Sequence, residues 1–323
     1  MIRRQALLVP AAWLCLSWAA AFGGATTATV PAGRTVALTI LHVNDIHGQT
    51  RGSDKGGGYA RLATAVERAR GKEGPPMLLV HAGDEFSRGD ELTRRTLGEA
   101  NVEIMNRLAF DAWTPGNGEF YDGPANLRRR IAQAKFPVLA ANVRFASDDQ
   151  PVGRPYVICR SGPVRAALLG LCFVKPDGPS ASAFRAADPI ATAKELVPLL
   201  RRQADVVVAL THLGFAADCR LAAQVAGIDL IVGGHSHTVL QSGYRAKGPD
   251  GGNVLIVQAG EQLRFLGRAD LTLREETGGW RVESAQAGLV PLDKQVGPDP
   301  QMDAFVGRLW AAASRPAATQ PAR

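Results

Sequence analysis

The residues able to do chemistry fall in short clusters: Asp45-Ile46-His47, Gly83-Asp84, Gly116-Asn117-Gly118-Glu119, His212, and Gly234-His235-Ser236-His237. Two carboxylates, one amide oxygen and four imidazoles form a ligand set suited to zinc, iron or manganese. Asp45 and His47, two residues apart, can both turn toward one centre. Asp84 follows the small Gly83, and its carboxylate could bridge two ions about 3.5–4 Å apart. Asn117 follows Pro115-Gly116 and offers a neutral oxygen ligand, or simply a turn. His235 and His237 flank Ser236 in a glycine-rich turn and give the strongest local signal. Each cluster alone has an ordinary explanation as an Asp turn, a cap or a core histidine. Together, placed at one kind of position in the chain, they predict a metal centre.

That shared position is the end of a strand. Alternating or buried apolar runs predict strands over 36–43, 77–81, 111–114, 137–142, 205–210 and 228–232, and a hairpin over 156–159 and 164–173. Helical spacing predicts helices over 59–70, 91–108 (running through Gly98), 126–134, 190–203, 216–225 and 301–313. Residues 254–258, 263–273 and 280–287 read as antiparallel β. Alternation of strand and helix predicts a layered α/β fold with parallel strands, whose ligands bind where the carboxyl ends of the strands converge.

The 323 residues are 46% hydrophobic, enough for a well-buried core. Residues 1–25 read as a signal peptide, with Arg3 and Arg4 before an apolar stretch and small residues. The stretch is interrupted by Pro10, Ser17 and Gly23-Gly24 and is too short for a stable membrane span. The expected location is therefore periplasmic or secreted. The formal net charge is +7. Its basic residues are scattered, with Arg128-Arg129-Arg130 and Arg201-Arg202 inside helical patterns, so solvated helix faces are expected and no nucleic-acid partner. A basic surface can still draw in an anionic substrate. Beyond the leader, Cys159, Cys172 and Cys219 are odd in number and lack metal-ligand spacing, so packed thiols are expected. Residues 36–292 form the expected catalytic domain, 293–313 a C-terminal helix and 314–323 a disordered tail.

Five segments carry a resemblance: LTILHVNDIHG (38–48), LLVHAGD (78–84), GNGEF (116–120), VLAANV (138–143), and THLG (211–214) followed by GIDLIVGGHSHT (227–238). In order and spacing the chain resembles the calcineurin-like metallophosphoesterases, and among them the catalytic domain of bacterial 5′-nucleotidase/UDP-sugar hydrolases, over residues 38–292. The resemblance implies a four-layer α/β/β/α sandwich and two divalent ions (Mn, Zn, Fe or Co). Asp45, His47 and His237 would hold one ion and Asn117, His212 and His235 the other, with Asp84 bridging. Asp84, Asn117 and His212 count as catalytic too. The implied reaction is attack of a metal-bound hydroxide on a small anionic phosphate ester, such as a nucleotide.

Two departures qualify this. The family motif is GNHE followed by Phe-Asp, and its His and Asp support the leaving group. Here Gly118 and Tyr121 stand at those positions, and Asp122 comes one residue late. General acid help is worth roughly 10²–10⁴ in rate. A good leaving group would dispense with it; His42, His81, Tyr121 or Arg88 could replace it, although His42 and His81 read as residues of buried strands. The alternatives are a thiosulfohydrolase-like enzyme of the same superfamily and a weakly catalytic metal- and anion-binding protein. The nucleotidases also carry a further C-terminal domain that contacts the nucleotide. Its lack here implies a more open site, with room for a covering partner.

Overall fold

The computed structural model describes residues 33–314 apart from 54–55 and 72–73. The expected signal peptide and residues 315–323 of the tail lie outside the described residues. Two mixed sheets dominate. The first has strand order β13-β12-β1-β2-β3, built from β1 (Thr35–Val43), β2 (Met77–His81), β3 (Ala112–Trp113), β12 (Phe265–Glu276) and β13 (Gly279–Pro291). Here β1, β2 and β3 run parallel, and β12 returns antiparallel beside β1. The second sheet has order β10-β11-β9-β8-β6-β5, built from β5 (Tyr156–Ser161), β6 (Val164–Cys172), β8 (Val206–His212), β9 (Leu230–Val232), β10 (Tyr244–Lys247) and β11 (Asn253–Val257). β6, β8, β9 and β11 are parallel there, and β5 and β10 are antiparallel edges. A small ribbon pairs β4 (Val143–Phe145) with β7 (Phe184–Ala186).

Three apolar clusters show how the layers stack. Strand side chains alternate between faces. Leu38 and Ile40 of β1 therefore join Val206, Val208 and Leu210 of β8 in the core between the sheets. Leu41 and Val43 point the other way, into a cluster with Tyr59 and Leu62 of α1 (Gly58–Arg70), Ile104 of α3 (Glu99–Leu108), Leu127 of α4 (Gly123–Gln133) and Val306 of α7 (Pro300–Ala313). Val207 and Ala209 pack outward against Val197 of α5 (Pro189–Arg201) and Leu221 of α6 (Phe215–Gln224). The result is helix, sheet, sheet, helix: the expected four layers.

Several sequence expectations need correction. The helix expected over 91–108 is two helices, α2 (Glu91–Thr96) and α3, because Leu97 and Gly98 both take left-handed backbone at φ 47° and 79°. Residues 137–142 make only isolated bridges, Val138 with Trp113 and Leu139 with Arg154, and the regular strand starts at Val143. The segment around 254–258 is only half antiparallel: β11 pairs antiparallel with β10 but lies parallel to β9 on its other side. Within 293–313 the helix begins at Pro300, capped by the Asp299 side chain. Cys159, Cys172 and Cys219 are all free thiols. Among the described residues no helix is long and apolar enough to cross a membrane.

Candidate metal centre

Five strand ends meet at one place. The loop after β1 carries Asp45 and His47, and the loop after β2 carries Asp84. Asn117 follows β3, His212 is the last residue of β8, and His235 and His237 follow β9. The first two loops lie side by side, with backbone bonds Asp45 N–H to Gly83 O (2.8 Å) and His47 N–H to Asp84 O (2.9 Å). Five of the seven residues hold left-handed backbone: Asp45 and His47 at φ 51°, Asp84 at 54°, His235 at 76° and His237 at 53°. Such backbone is uncommon outside glycine and costs of order 1–3 kcal/mol per residue, so its concentration here marks a site whose geometry the surrounding fold enforces. Gly83 has φ 88°, and a Cβ there would lie 2.5 Å from His212 Nδ1 and 2.6 Å from Gly116 N. Only glycine fits.

The donor atoms converge. Ligand atoms of Asp45, His47 and His237 lie within 4.8 Å of one another, as do those of Asp45, Asp84 and His212. Nε2 of His47 sits 3.0 Å from Nε2 of His237, and His237 Nε2 is 3.4 Å from Asp45 Oδ1. His235 Nδ1 is 2.7 Å from Asn117 Oδ1. His212 is wholly buried and donates from Nδ1 to the Ala82 carbonyl at 2.7 Å, which leaves Nε2 without a hydrogen-bond partner. That nitrogen faces Asp84 Oδ1 at 3.4 Å and Asp45 Oδ1 at 3.8 Å. A buried nitrogen with no partner, aimed between two carboxylates, fits a divalent cation, as does a pair of imidazoles meeting nitrogen to nitrogen.

The electrostatics agree. Burial would raise the Asp84 carboxyl, but the nearby positive charge of His212 outweighs it and holds the group well below the usual range. Asp45 is held down in the same way, against burial, by His212 and by its bond to His237. Burial would depress His212, yet the charges of Asp84 and Asp45 lift it to about 10. Burial lowers His47 and His235, whereas the bond to Asp45 raises His237. The centre strongly favours anionic carboxylates beside a cation.

A second set of residues, which the sequence reading missed, holds the first in place. Glu119 is buried and accepts from the backbone N–H of Asp84 (2.9 Å), Glu85 (2.7 Å), Phe86 (3.1 Å) and Gly116 (2.6 Å), stitching the loop after β2 to that after β3. Burial and the Asp84 charge push its carboxyl up, to about 8, while the His212 charge and the Phe86 and Gly116 N–H donors pull it down. Asn44 donates to Asp45 Oδ2 at 2.7 Å and to the Gly260 carbonyl. Gln258 holds the histidine turn through Ser236 Oγ, Thr238 N–H and the Gly234 carbonyl. Glu261 Oε2 lies 3.1 Å from His237 Nδ1. Asp90 caps α2 at Thr93 N–H and accepts from Thr50, whose hydroxyl also accepts from Trp310 of α7. The one sequence clue to Glu119 was its place two residues after Asn117.

Of the four residues considered as replacement acids, two stand apart from the centre. His42 is buried against Gly267 between the sheets, with both ring nitrogens unpartnered. His81 is locked between Glu85 Oε2 at 2.8 Å and Gly83 N–H at 3.0 Å. Tyr121 accepts at its hydroxyl from Asn117 Nδ2 at 2.7 Å, which leaves its own proton free. Arg88 is exposed, has φ 59°, and makes no ion pair or hydrogen bond among the described residues.

Fold and site together define a four-layer α/β protein built around a candidate metal centre at converging strand ends. The chain belongs to the calcineurin-like phosphoesterase family, whose model matches residues 38–239. It is 30% identical to snake venom 5′-nucleotidase from Naja atra over 84% of this chain and 56% of that protein. The 5′-nucleotidase precursor of Thermus thermophilus superposes with TM-score 0.74 at 28% identity, covering 86% of this chain and 58% of that one. The calcineurin-like phosphoesterase YfkN of Bacillus subtilis shares the fold at TM-score 0.73 and 23% identity, over 87% of this chain and 98% of that one. The chain thus spans little more than half the length of the nucleotidases it matches.

Proposed function

We propose that the chain is a divalent-metal-dependent phosphoesterase acting on small phosphate esters of the nucleotide type. Asp45, His47 and His237 would hold one ion and Asn117, His212 and His235 a second, with Asp84 available to both. The observation that carries the reading is the buried, unpartnered Nε2 of His212 facing both Asp45 and Asp84. Divalent ions, when bound there, would supply a hydroxide nucleophile at neutral pH and would neutralise charge on the phosphoryl group.

The chain's own residues set the frame for that chemistry. Ala82 fixes the His212 tautomer, Asn44 orients Asp45, and Glu119 fixes the loop that presents Asp84. Arg88 offers a free guanidinium to an incoming phosphate. Position 118 brings no proton donor, so the leaving group departs without help from there. Tyr121 keeps a free hydroxyl proton beside Asn117, the nearest replacement the geometry offers. Activated esters are therefore the favoured substrates. The membership of 5′-nucleotidases among the relatives supports the substrate class. Residues 1–25 read as an export signal, and we place the protein outside the cytoplasm on that ground.

A panel of p-nitrophenyl and alkyl phosphate mono- and diesters, nucleotides and sulfur esters with added Mn²⁺ tests the proposal. Turnover should depend on metal and fall steeply as the leaving group becomes more basic. Asp84→Asn should cut it by about 10³ or more, consistent with loss of an electrostatic centrepiece. No metal-dependent turnover on any phosphate ester refutes the proposal, and turnover confined to sulfur esters favours the thiosulfohydrolase-like alternative.

A further inference from the structure

Ser87 lies between two parts of the site that the preceding reading left unconnected. Its side chain is buried, and its Oγ sits 3.0 Å from Nδ1 of His47. His47 Nε2 points the other way, to within 3.0 Å of His237 Nε2. Two imidazole nitrogens at that distance cannot both carry protons, so what binds Nδ1 decides which face of the ring offers a lone pair. With Nδ1–H donating to the Ser87 oxygen, Nε2 is left as the ligand.

The same side chain explains residue 118. Gly118 lies in a 3₁₀ turn, and its φ is not in the left-handed region, so the backbone there does not demand glycine. Space does. A Cβ at 118 would fall 2.1 Å from Ser87 Cβ and 2.2 Å from its Oγ, with Asp84 Oδ1 3.0 Å away. The nearest obstacle is a Cβ, which cannot swing aside as the end of a long side chain could. Gly118 N–H meanwhile donates to Asp84 Oδ1 at 2.7 Å, so a shift of the 118 backbone would disturb a candidate ligand as well.

We infer that Ser87 is a positioning residue for His47 and that its side chain fills the volume any side chain at 118 would need. Residues 87 and 118 thus form one steric unit: the serine that orients His47 also keeps position 118 bare. The first half rests on the metal-centre reading, while the steric half does not. One consequence is that Gly118→His by itself is a clash rather than a restored acid, and a fair test of an acid at 118 needs Ser87→Gly beside it.

A double-mutant cycle in chelator, read by thermal unfolding, tests the steric half. Gly118→Ala alone should lower Tm by several degrees, and adding Ser87→Gly should recover most of that loss, a clear departure from additivity. Losses that simply sum overturn the coupling. The positioning half is read by calorimetric Mn²⁺ titration of Ser87→Ala, which should weaken binding about 10–100-fold, the usual effect of removing an outer partner of a ligand. The ring ¹⁵N shifts of His47 in the zinc-loaded protein should show the Nδ1–H form in the wild type and a mixture in Ser87→Ala. Wild-type affinity in Ser87→Ala overturns the positioning role while the metal centre stands. No saturable Mn²⁺ binding by the wild type would overturn the metal-centre reading, and this role with it, while the cycle still decides the steric half.

Discussion

His42 offers a sharp quantitative test, because it separates a buried structural histidine from a catalytic one. The side chain is wholly inaccessible, both ring nitrogens lack partners, and a Cβ on Gly267 beneath it would lie 2.1 Å from the ring. Burial lowers its pKa from 6.5 to about 3. The folded state therefore binds fewer protons than the unfolded one throughout the window from about 3 to 6.5. Stability from this group is fully present above 6.5 and is lost as pH falls through that window. At about 1.36 kcal/mol per unit, acidifying from pH 7 to 5 costs roughly 2 kcal/mol from His42 alone. His42→Leu removes that titration. Urea unfolding of wild type and variant at pH 7 and pH 5, both in chelator so that the metal residues titrate alike, should show a pH-dependent loss about 2 kcal/mol smaller in the variant. The variant should also be no less stable at pH 7 by more than about 1 kcal/mol, since it trades packing for two unpaired polar atoms. An unchanged pH dependence would refute the reasoning and show that His42 finds a proton partner.

Two further substitutions probe the frame and the substrate approach. Glu119→Gln turns an amide NH₂ toward two of the four backbone N–H donors, whichever way it faces, and should cost about 3 kcal/mol in urea unfolding at pH 9, above the Glu119 pKa of about 8; a loss below about 1 kcal/mol there would show that the carboxylate does not hold the loops. Arg88→Ala should raise KM for anionic esters about tenfold with kcat within a few-fold, the effect of one lost charge-assisted contact. Steady-state kinetics checks it, and an unchanged KM would remove Arg88 from phosphate binding.

How much of this was legible in the sequence depends on how local each signal is. Asp45, Asp84, His212, His235 and His237 could be found because strand ends are marked by hydrophobic runs of short period, and parallel strands bring such ends together. A layered α/β fold followed from the same alternation, whereas the four layers came from the family resemblance. The role of Glu119 was hidden for the opposite reason: its partners are backbone N–H groups 3 to 35 residues away, which no side-chain pattern records. Ser87 was hidden likewise, since its meaning lies in contact with residues 47 and 118. The break at Leu97-Gly98 was misread because helical spacing continues through it on both sides. Residues 137–142 have strand composition, but they are pinned by isolated bridges rather than a ladder. Parallel pairing of β11 with β9 depends on a crossover that apolar periodicity does not encode.

Gly118 shows how a departure changes meaning once neighbours are known. In the sequence it is a missing side chain. In the fold it is a position closed by Ser87, beside the candidate metal ligands.

The central claim is a centre that holds two divalent ions, and the most direct measurement counts them. Protein purified without chelator, reconstituted with Mn²⁺ and freed of excess ion, should contain close to two metal ions per chain by elemental analysis, falling to one or fewer in Asp84→Ala. A wild-type content of one ion or none, in folded protein, would contradict the account.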